Sequence, residues 1–99
     1  MNANMKARLL LRERLVLSTT AFIEIVVWQV PQPVRGSAHG YKYRLALVSD
    51  EVCVLRYDNE AGKGDHRHID GREESVAFTS LQELLAAFRA DVEAWRSRG

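Results

Sequence analysis

The chain has 99 residues, of which 46% are hydrophobic and 27% are charged, and its formal net charge is +1. A chain of this length forms a single domain around one core, and its apolar runs are far too short to cross a membrane. The near-zero net charge gives no support for bulk nucleic-acid binding, and a lone cysteine inside an apolar run, Cys53, argues against a disulfide framework. We therefore expect one cytoplasmic domain over residues 1–99, with residues 1–5 disordered and no membrane contact.

The first predicted element is a strand over residues 6–17. Apolar and basic residues alternate there with a period of two, which is typical of a half-buried strand. The apolar residues are Ala7, Leu9, Leu11, Leu15 and Leu17, and the basic residues are Lys6, Arg8, Arg12 and Arg14. A helix is the alternative, because leucine favours helices, but helical spacing would place Arg8 and Arg12 among the apolar side chains.

A second strand and a loop follow along the chain. Residues 22–30 are β-branched or aromatic on both sides except for Glu24 and Gln29, which predicts a central strand that ends at Pro31. Residues 31–40 contain both prolines and two glycines, so we expect a surface loop there.

A hairpin is predicted over residues 41–57. Its arms, residues 41–48 and 52–57, consist of strand formers, and the connection between them is short enough for a tight turn. If Asp50-Glu51 is a two-residue turn, Tyr43 faces Asp58 and Arg44 faces Tyr57. One face of the hairpin would then carry Lys42, Arg44, Tyr57 and Asn59, and the other would carry Tyr41, Tyr43, Arg56 and Asp58.

The last element is an amphipathic helix that begins near Ser80. Ser80 and Glu83 have the spacing of a capping box, and apolar residues then recur at helical intervals. These residues are Leu81, Leu84, Leu85, Phe88, Val92 and Trp95. With a further short strand at residues 75–78, the chain is predicted to be an α+β protein. An antiparallel sheet of four to five strands would pack against this C-terminal helix.

Residues 57–69 form a polar segment in which we place the functional site. Its candidate catalytic side chains are His66, His68, Lys63, Asp65 and Arg67. The histidines can exchange protons near neutral pH, the two cations can neutralise phosphate, and the aspartate can orient an imidazole. Gly62 and Gly64 allow the backbone to turn sharply between them. A polar surface loop without a catalytic task is the alternative interpretation.

A metal site is weakly supported by the same residues. Two histidines one residue apart project to the same side only if the backbone is extended. A structural zinc site would also need Cys53, His39 or Asp65 from separate parts of the chain, without any paired-cysteine signature. We therefore expect no metal and no cofactor.

Cations and aromatic rings of the predicted hairpin resemble a nucleic-acid platform, where rings stack on bases and cations meet phosphate. The candidate RNA-binding residues are Tyr57, Asn59, Arg44, Arg56 and Tyr43. Cross-strand pairing that only stabilises the sheet is an equally good explanation of the individual tyrosines.

Several segments carry a resemblance to a known family. They are residues 6–14 (KARLLLRER), residues 24–31 (EIVVWQVP), residues 41–45 (YKYRL) and residues 54–69 (VLRYDNEAGKGDHRHI), and Glu73-Glu74 adds to them. Over nearly its whole length the chain resembles the TumE family of toxin–antitoxin proteins. Glu51 departs from the family pattern, which would have glycine in an Asp-Gly turn.

The resemblance implies the toxin of a bacterial type II module, neutralised by direct contact with a cognate antitoxin that binds DNA. Combined with the polar segment, it leads to the hypothesis of a metal-independent ribonuclease that acts on cellular RNA. One alternative is a non-catalytic toxin that inhibits a translation or replication component by occupancy. Another is that the basic first strand and the acidic hairpin mainly bind the antitoxin or a second copy, which would give a homodimer.

Overall fold

The computed structural model describes residues 6–98, which form six strands and one helix. The strands are β1 (Arg8–Val16), β2 (Ala21–Gln29), β3 (Tyr41–Ser49), β4 (Val52–Asp58), β5 (His66–Ile69) and β6 (Arg72–Ser75), and the helix is α1 (Leu81–Arg98). The predicted α+β class is confirmed, although the sheet has six strands instead of four or five. The predicted disorder of residues 1–5 lies outside the described part of the chain.

All six strands form one antiparallel meander in which each strand pairs with its neighbours in sequence. Because side chains alternate across a strand, the sheet has two distinct faces. The helix face carries the core, where Ile25 and Leu45 lie in one cluster with Phe88 of α1. The opposite face, which we call the open face, carries cross-strand neighbours such as Arg44 and Asp58.

The additional strands arise from a hairpin that the sequence interpretation missed. Asp70 and Gly71 have positive φ angles of 52° and 75°, and Ile69 lies opposite Arg72. This is a two-residue turn of the kind that Asp-Gly favours, since both central residues need positive φ. Because of this hairpin, residues 66–69, which were predicted to be part of a loop, form β5. It also places the last strand at Arg72–Ser75 instead of residues 75–78.

The β3–β4 connection is the predicted two-residue turn, because Asp50 and Glu51 have φ angles of 51° and 67° and Ser49 lies opposite Val52. The predicted register beyond this turn is wrong. The pairing shifts by one residue between Leu47 and Val48, as in a β-bulge.

This shift exchanges side chains between the predicted faces. Arg44 pairs with Asp58, and Leu45 pairs with Tyr57. The open face therefore carries Lys42, Arg44, Arg56 and Asp58, and the helix face carries Tyr41, Tyr43 and Tyr57. The charged groups therefore lie on the face opposite to the tyrosines, although they were predicted to share a face with them.

Strand β1 is confirmed, but it is not half-buried as predicted. Its register shifts between Leu9 and Leu11, so that Leu9 shares the open face with Trp28 while Leu11 lies on the helix face with Val27. Every residue of β1 except Leu11 is exposed. The alternation therefore identified the strand correctly but not its environment.

Helix α1 begins and packs as its sequence predicts. The backbone N–H of Glu83 donates to Ser80 Oγ at 3.0 Å, which caps the first turn. Leu84, Phe88 and Val92 are its buried residues. Among residues 6–98, no helix combines the length and the apolar character needed to span a membrane.

Phe88→Ala should lower the free energy of unfolding by about 3–5 kcal/mol, because Phe88 is fully buried and its removal leaves a cavity. Urea denaturation monitored by circular dichroism measures the loss. Arg89→Ala, at the adjacent exposed position, is the control and should change stability by less than about 0.5 kcal/mol. Equal losses in the two variants would contradict the described packing of α1.

Candidate functional site

A polar cavity of about 330 Å³ lies on the open face where β4, β5 and the loop before β5 meet β6. Its lining residues are Arg44, Arg56, Asp58, Glu60, Ala61, Lys63, His66, His68 and Glu73. His66 and His68 project to the same face because β5 is extended. His66 lies opposite Asp58 of β4, and His68 lies opposite Glu73 of β6.

The side chains of His66, His68, Asp58, Glu73 and Lys63 form one contact network, which we call the histidine cluster. His66 Nε2 lies 3.2 Å from Asp58 Oδ1 and 3.1 Å from Glu73 Oε2. His68 Nε2 lies 3.2 Å from the same Glu73 oxygen. The cluster thus joins two imidazoles through one shared carboxylate.

The orientation of His66 is fixed from the backbone. Its Nδ1 donates to the carbonyl oxygen of Gly64 at 3.0 Å, since a carbonyl can only accept. Both ring nitrogens therefore face oxygen acceptors, and a ring protonated on both nitrogens can donate to all of them. The His66 side chain is 6% exposed and the His68 side chain is 39% exposed, so His68 is the more accessible imidazole.

Cations neutralise the carboxylates of the cluster. Lys63 Nζ donates to both oxygens of Glu73, at 3.1 and 3.0 Å, and this contact lowers the pKa of Glu73. Arg56 Nε lies 2.6 Å from Asp58 Oδ2. Arg44, opposite Asp58 on β3, adds a further positive charge to the cavity wall. Each carboxylate of the cluster therefore has a cationic neighbour.

A divalent metal could be held by His66, His68 and Glu73, which place one ligand atom each within 4.8 Å of one another. In the described structure both oxygens of Glu73 already accept hydrogen bonds from Lys63. The negative charge of this donor set is compensated by the protein's own cations.

Arg67, predicted to join the histidines, lies on the opposite side of the sheet. The strand alternation that directs its two neighbours to the open face directs Arg67 to the helix face. There it contacts Asp91 of α1 at 2.7 Å and Glu74 of β6 at 2.7 Å. Hydrogen bonds to the Tyr57 hydroxyl and to Glu74 raise the pKa of Arg67, and the bond from Arg67 lowers the pKa of Glu74. Arg67 therefore connects the sheet to the helix and cannot reach the cavity.

Tyr43 and Tyr57, predicted to stack on nucleotide bases, are core residues with exposures of 0% and 2%. Tyr57 packs edge-on against Phe88, and its hydroxyl donates to Asp91 Oδ2 at 2.5 Å. Burial and this bond raise the pKa of Tyr57 to about 12. Neither ring can stack on RNA, because neither is accessible from the open face.

Asn59, a third predicted RNA contact, is fully buried and fully bonded. Its amide donates to the carbonyl of Tyr41 at 2.8 Å and to Ser37 Oγ at 3.1 Å, and its oxygen accepts from the backbone of Tyr43 at 3.1 Å. Asn59 therefore connects the end of β4 to β3 and to the loop that precedes β3. Its side chain has no exposed surface that a nucleotide could contact.

Asp65 orients an imidazole as predicted, but that imidazole is His39. The backbone N–H of Tyr41 donates to His39 Nδ1 at 3.2 Å, so Nε2 carries the proton that is donated to Asp65 at 2.8 Å. Asp65 also accepts from Tyr43 and Ser37. Burial and the bond to Asp65 raise the pKa of Tyr43.

The loop of residues 31–40 is thereby attached to the loop that precedes β5. A Cβ added at Gly36 would lie 2.5 Å from the backbone nitrogen of Gly64, and the φ of Gly36 is +88°. Only glycine fits this approach. Gly64 in turn supplies the carbonyl that orients His66, so the close contact helps to position the cluster.

The sequence interpretation included His66, His68, Lys63, Arg44 and Arg56, all of which line the cavity. It did not include the carboxylates that join them, Asp58 and Glu73, among the site residues. The Asp70-Gly71 turn signal would have identified Glu73, because a two-residue turn there pairs Glu73 with His68.

The fold and the cavity define the chain as a small α+β protein with a titratable, charged site on the open face of its sheet. A family model described as Toxin TumE matches residues 6–96. The chain therefore belongs to the TumE toxin family, which confirms the resemblance and makes it the toxin of a toxin–antitoxin system, with an antitoxin as partner. No curated protein and no solved structure matches the chain.

Asp65→Asn should lower the free energy of unfolding by about 1–3 kcal/mol, because an amide cannot accept from His39, Tyr43 and Ser37 as the carboxylate does. Urea denaturation measures this change. Asp70→Asn, at an exposed turn position, is the matched control and should have an effect below about 0.5 kcal/mol. An Asp65→Asn variant as stable as the parent would disprove the anchoring role of Asp65.

Proposed function

We propose that this toxin is a metal-independent endoribonuclease that acts on cellular RNA in the cytoplasm. The supporting observation is the histidine cluster, in which two imidazoles share a carboxylate beside Lys63, Arg44 and Arg56 in one open cavity. RNA can be cleaved by attack of its own 2′-hydroxyl on the adjacent phosphorus when a base, an acid and phosphate-binding cations are present. This reaction needs no cofactor.

In the proposed reaction His68 is the base, because its ring is the more accessible of the two. It takes the proton from the 2′-hydroxyl, whose oxygen then forms a bond to phosphorus. The bond from phosphorus to the 5′-oxygen of the next nucleotide breaks, and His66 supplies the proton to that oxygen. Asp58 and Glu73 orient the rings.

The cations of the cavity bind the phosphate in this proposal. Lys63, Arg44 and Arg56 line the cavity, and they replace Arg67 in the role first assigned to it. Three carboxylates, Asp58, Glu60 and Glu73, line the same cavity. Since the formal charges of these six side chains are thus balanced, we expect RNA binding to be weak and to depend on salt.

His66→Ala and His68→Ala should each slow RNA cleavage by roughly 100- to 10,000-fold, the usual contribution of a general acid or base. The measurement is the cleavage rate per folded molecule with purified full-length protein, with folding checked by circular dichroism. Arg89→Ala, at an exposed position of α1 outside the cavity, is the control and should retain the rate. RNA left intact by the parent protein, together with full toxicity of both alanine variants in cells, would refute the proposal.

The chemistry of cleavage has its own test. Replacing the 2′-hydroxyl at the cleaved nucleotide with hydrogen should abolish cleavage, and the products of ordinary RNA should carry a 2′,3′-cyclic phosphate. Excess chelator should leave the rate unchanged. Loss of activity in chelator, restored by a divalent cation, would show that the reaction depends on a metal.

A toxin that acts by occupancy is the second candidate, favoured by the apolar side chains Val26 and Trp28 on the open face beside the charged residues. Such a toxin would block a translation or replication component without turnover. Titration into a cell-free translation reaction distinguishes the two candidates. A ribonuclease should inhibit fully at a small fraction of the ribosome concentration, whereas stoichiometric inhibition would support occupancy.

A further inference from the structure

Strand β1 forms an outer edge of the sheet, at the side away from the histidine cluster. Within residues 6–98 it pairs only with β2, so one side of its nine-residue backbone carries no strand partner. A long edge strand is a template for pairing with another chain, and proteins usually protect such edges with bulges, charges or a covering segment. β1 has a bulge near Leu10 and three arginines, yet most of its length remains regular.

The same strand carries most of the exposed apolar surface. Of the five large apolar residues that are exposed in the described chain, four lie on β1. They are Leu9 at 43%, Leu10 at 42%, Leu15 at 56% and Val16 at 66%. An apolar surface concentrated on one element indicates an interaction site more strongly than scattered exposed residues do.

Part of this apolar surface continues from β1 onto the open face of β2, whereas Leu15 lies opposite Ile23 on the helix face. Phe22, Val26 and Trp28 are half-buried there, and Val16 and Leu9 are the cross-strand neighbours of Phe22 and Trp28. Helix α1 packs on the opposite face of the sheet, against Ile25 and its neighbours. The open face of the β1–β2 pair therefore carries an apolar strip, in which the Arg14 guanidinium lies over the Phe22 ring at 3.9 Å from its centroid.

Basic side chains lie along this strip. Arg12 and Arg14 lie on its open-face side, and Arg8 lies at the start of β1. Lys42 and Arg44 of β3 extend the charge towards the cavity. The acidic residues nearby are Glu13 on the helix face, Glu24 at 3.7 Å from Arg14, and Asp50 and Glu51, which line a pocket with Arg14 and Phe22 at one end of the strip. A partner with acidic and apolar side chains would complement this surface.

We propose that the antitoxin docks here through an acidic, extended segment that adds a strand to the free edge of β1. Main-chain hydrogen bonds to β1 would supply affinity, and alternate apolar side chains of the segment would pack beside Leu9 and Val16 on the open face. This proposal goes beyond the ribonuclease proposal and does not depend on it. A second copy of the chain is a poorer occupant, because it would bring the β1 arginines of two chains together.

The test is the affinity of the full-length toxin for the antitoxin encoded with it, measured by calorimetry without RNA. Arg12→Glu should weaken binding by at least roughly tenfold, because it places like charge against the acidic segment. Arg89→Glu makes the same charge change at an exposed position of α1 and is the matched control, with an expected change of less than about twofold. Both positions are exposed, so neither variant should impair folding.

Amide hydrogen exchange provides a second readout of the same complex. Antitoxin binding should slow the exchange of alternate β1 amides, whose N–H groups point away from β2. Unchanged affinity of Arg12→Glu with unchanged β1 exchange would overturn the proposal. A toxin dimer that dissociates in Arg12→Glu, with antitoxin binding retained, would assign the surface to a second copy and would also overturn it.

Discussion

The position of β5 between β4 and β6 is the constraint on which the rest of the site depends. Side chains of an extended strand alternate strictly, so this pairing sends His66 and His68 to the open face and Arg67 to the helix face. It also brings Asp58 and Glu73 to the two sides of the histidines. A shift of one residue would bury the histidines against the helix and expose Arg67.

The polar residues on the two faces have different tasks. On the open face they form a cavity whose charges lie beside the buried imidazole of His66 and the more accessible one of His68, which is the basis of the ribonuclease proposal. On the helix face, Arg67 links β5 to Asp91 of α1, and Asp65 and Asn59 fasten the two loops together. These partly buried bonds hold the scaffold that positions the histidines. A dense polar motif therefore need not be catalytic at every position.

The sequence predicted the strands and the helix better than it predicted which side chains lie on which face of the sheet. Helix α1 followed from apolar spacing and the Ser80 cap, because both are local signals. The β3–β4 register failed because the bulge near Leu47 leaves no clear mark in the residue pattern. The β5–β6 hairpin does have a sequence signal, because Asp70-Gly71 is a dipeptide that favours a two-residue turn. Burial of Tyr43, Tyr57 and Asn59 depends on the register and on α1, so composition alone could not reveal it.

The central claim is that RNA binds at the open face beside β5, where it meets the two histidines. Its most direct test is a nuclear magnetic resonance titration of the full-length protein with an oligonucleotide that carries a 2′-deoxy nucleotide at the cleavage position. The account predicts that the ring resonances of His66 and His68 shift on binding, while those of Tyr57 and the Arg67 guanidinium stay in place. Shifts confined to the helix face, or saturated binding that leaves both histidine rings unchanged, would contradict it.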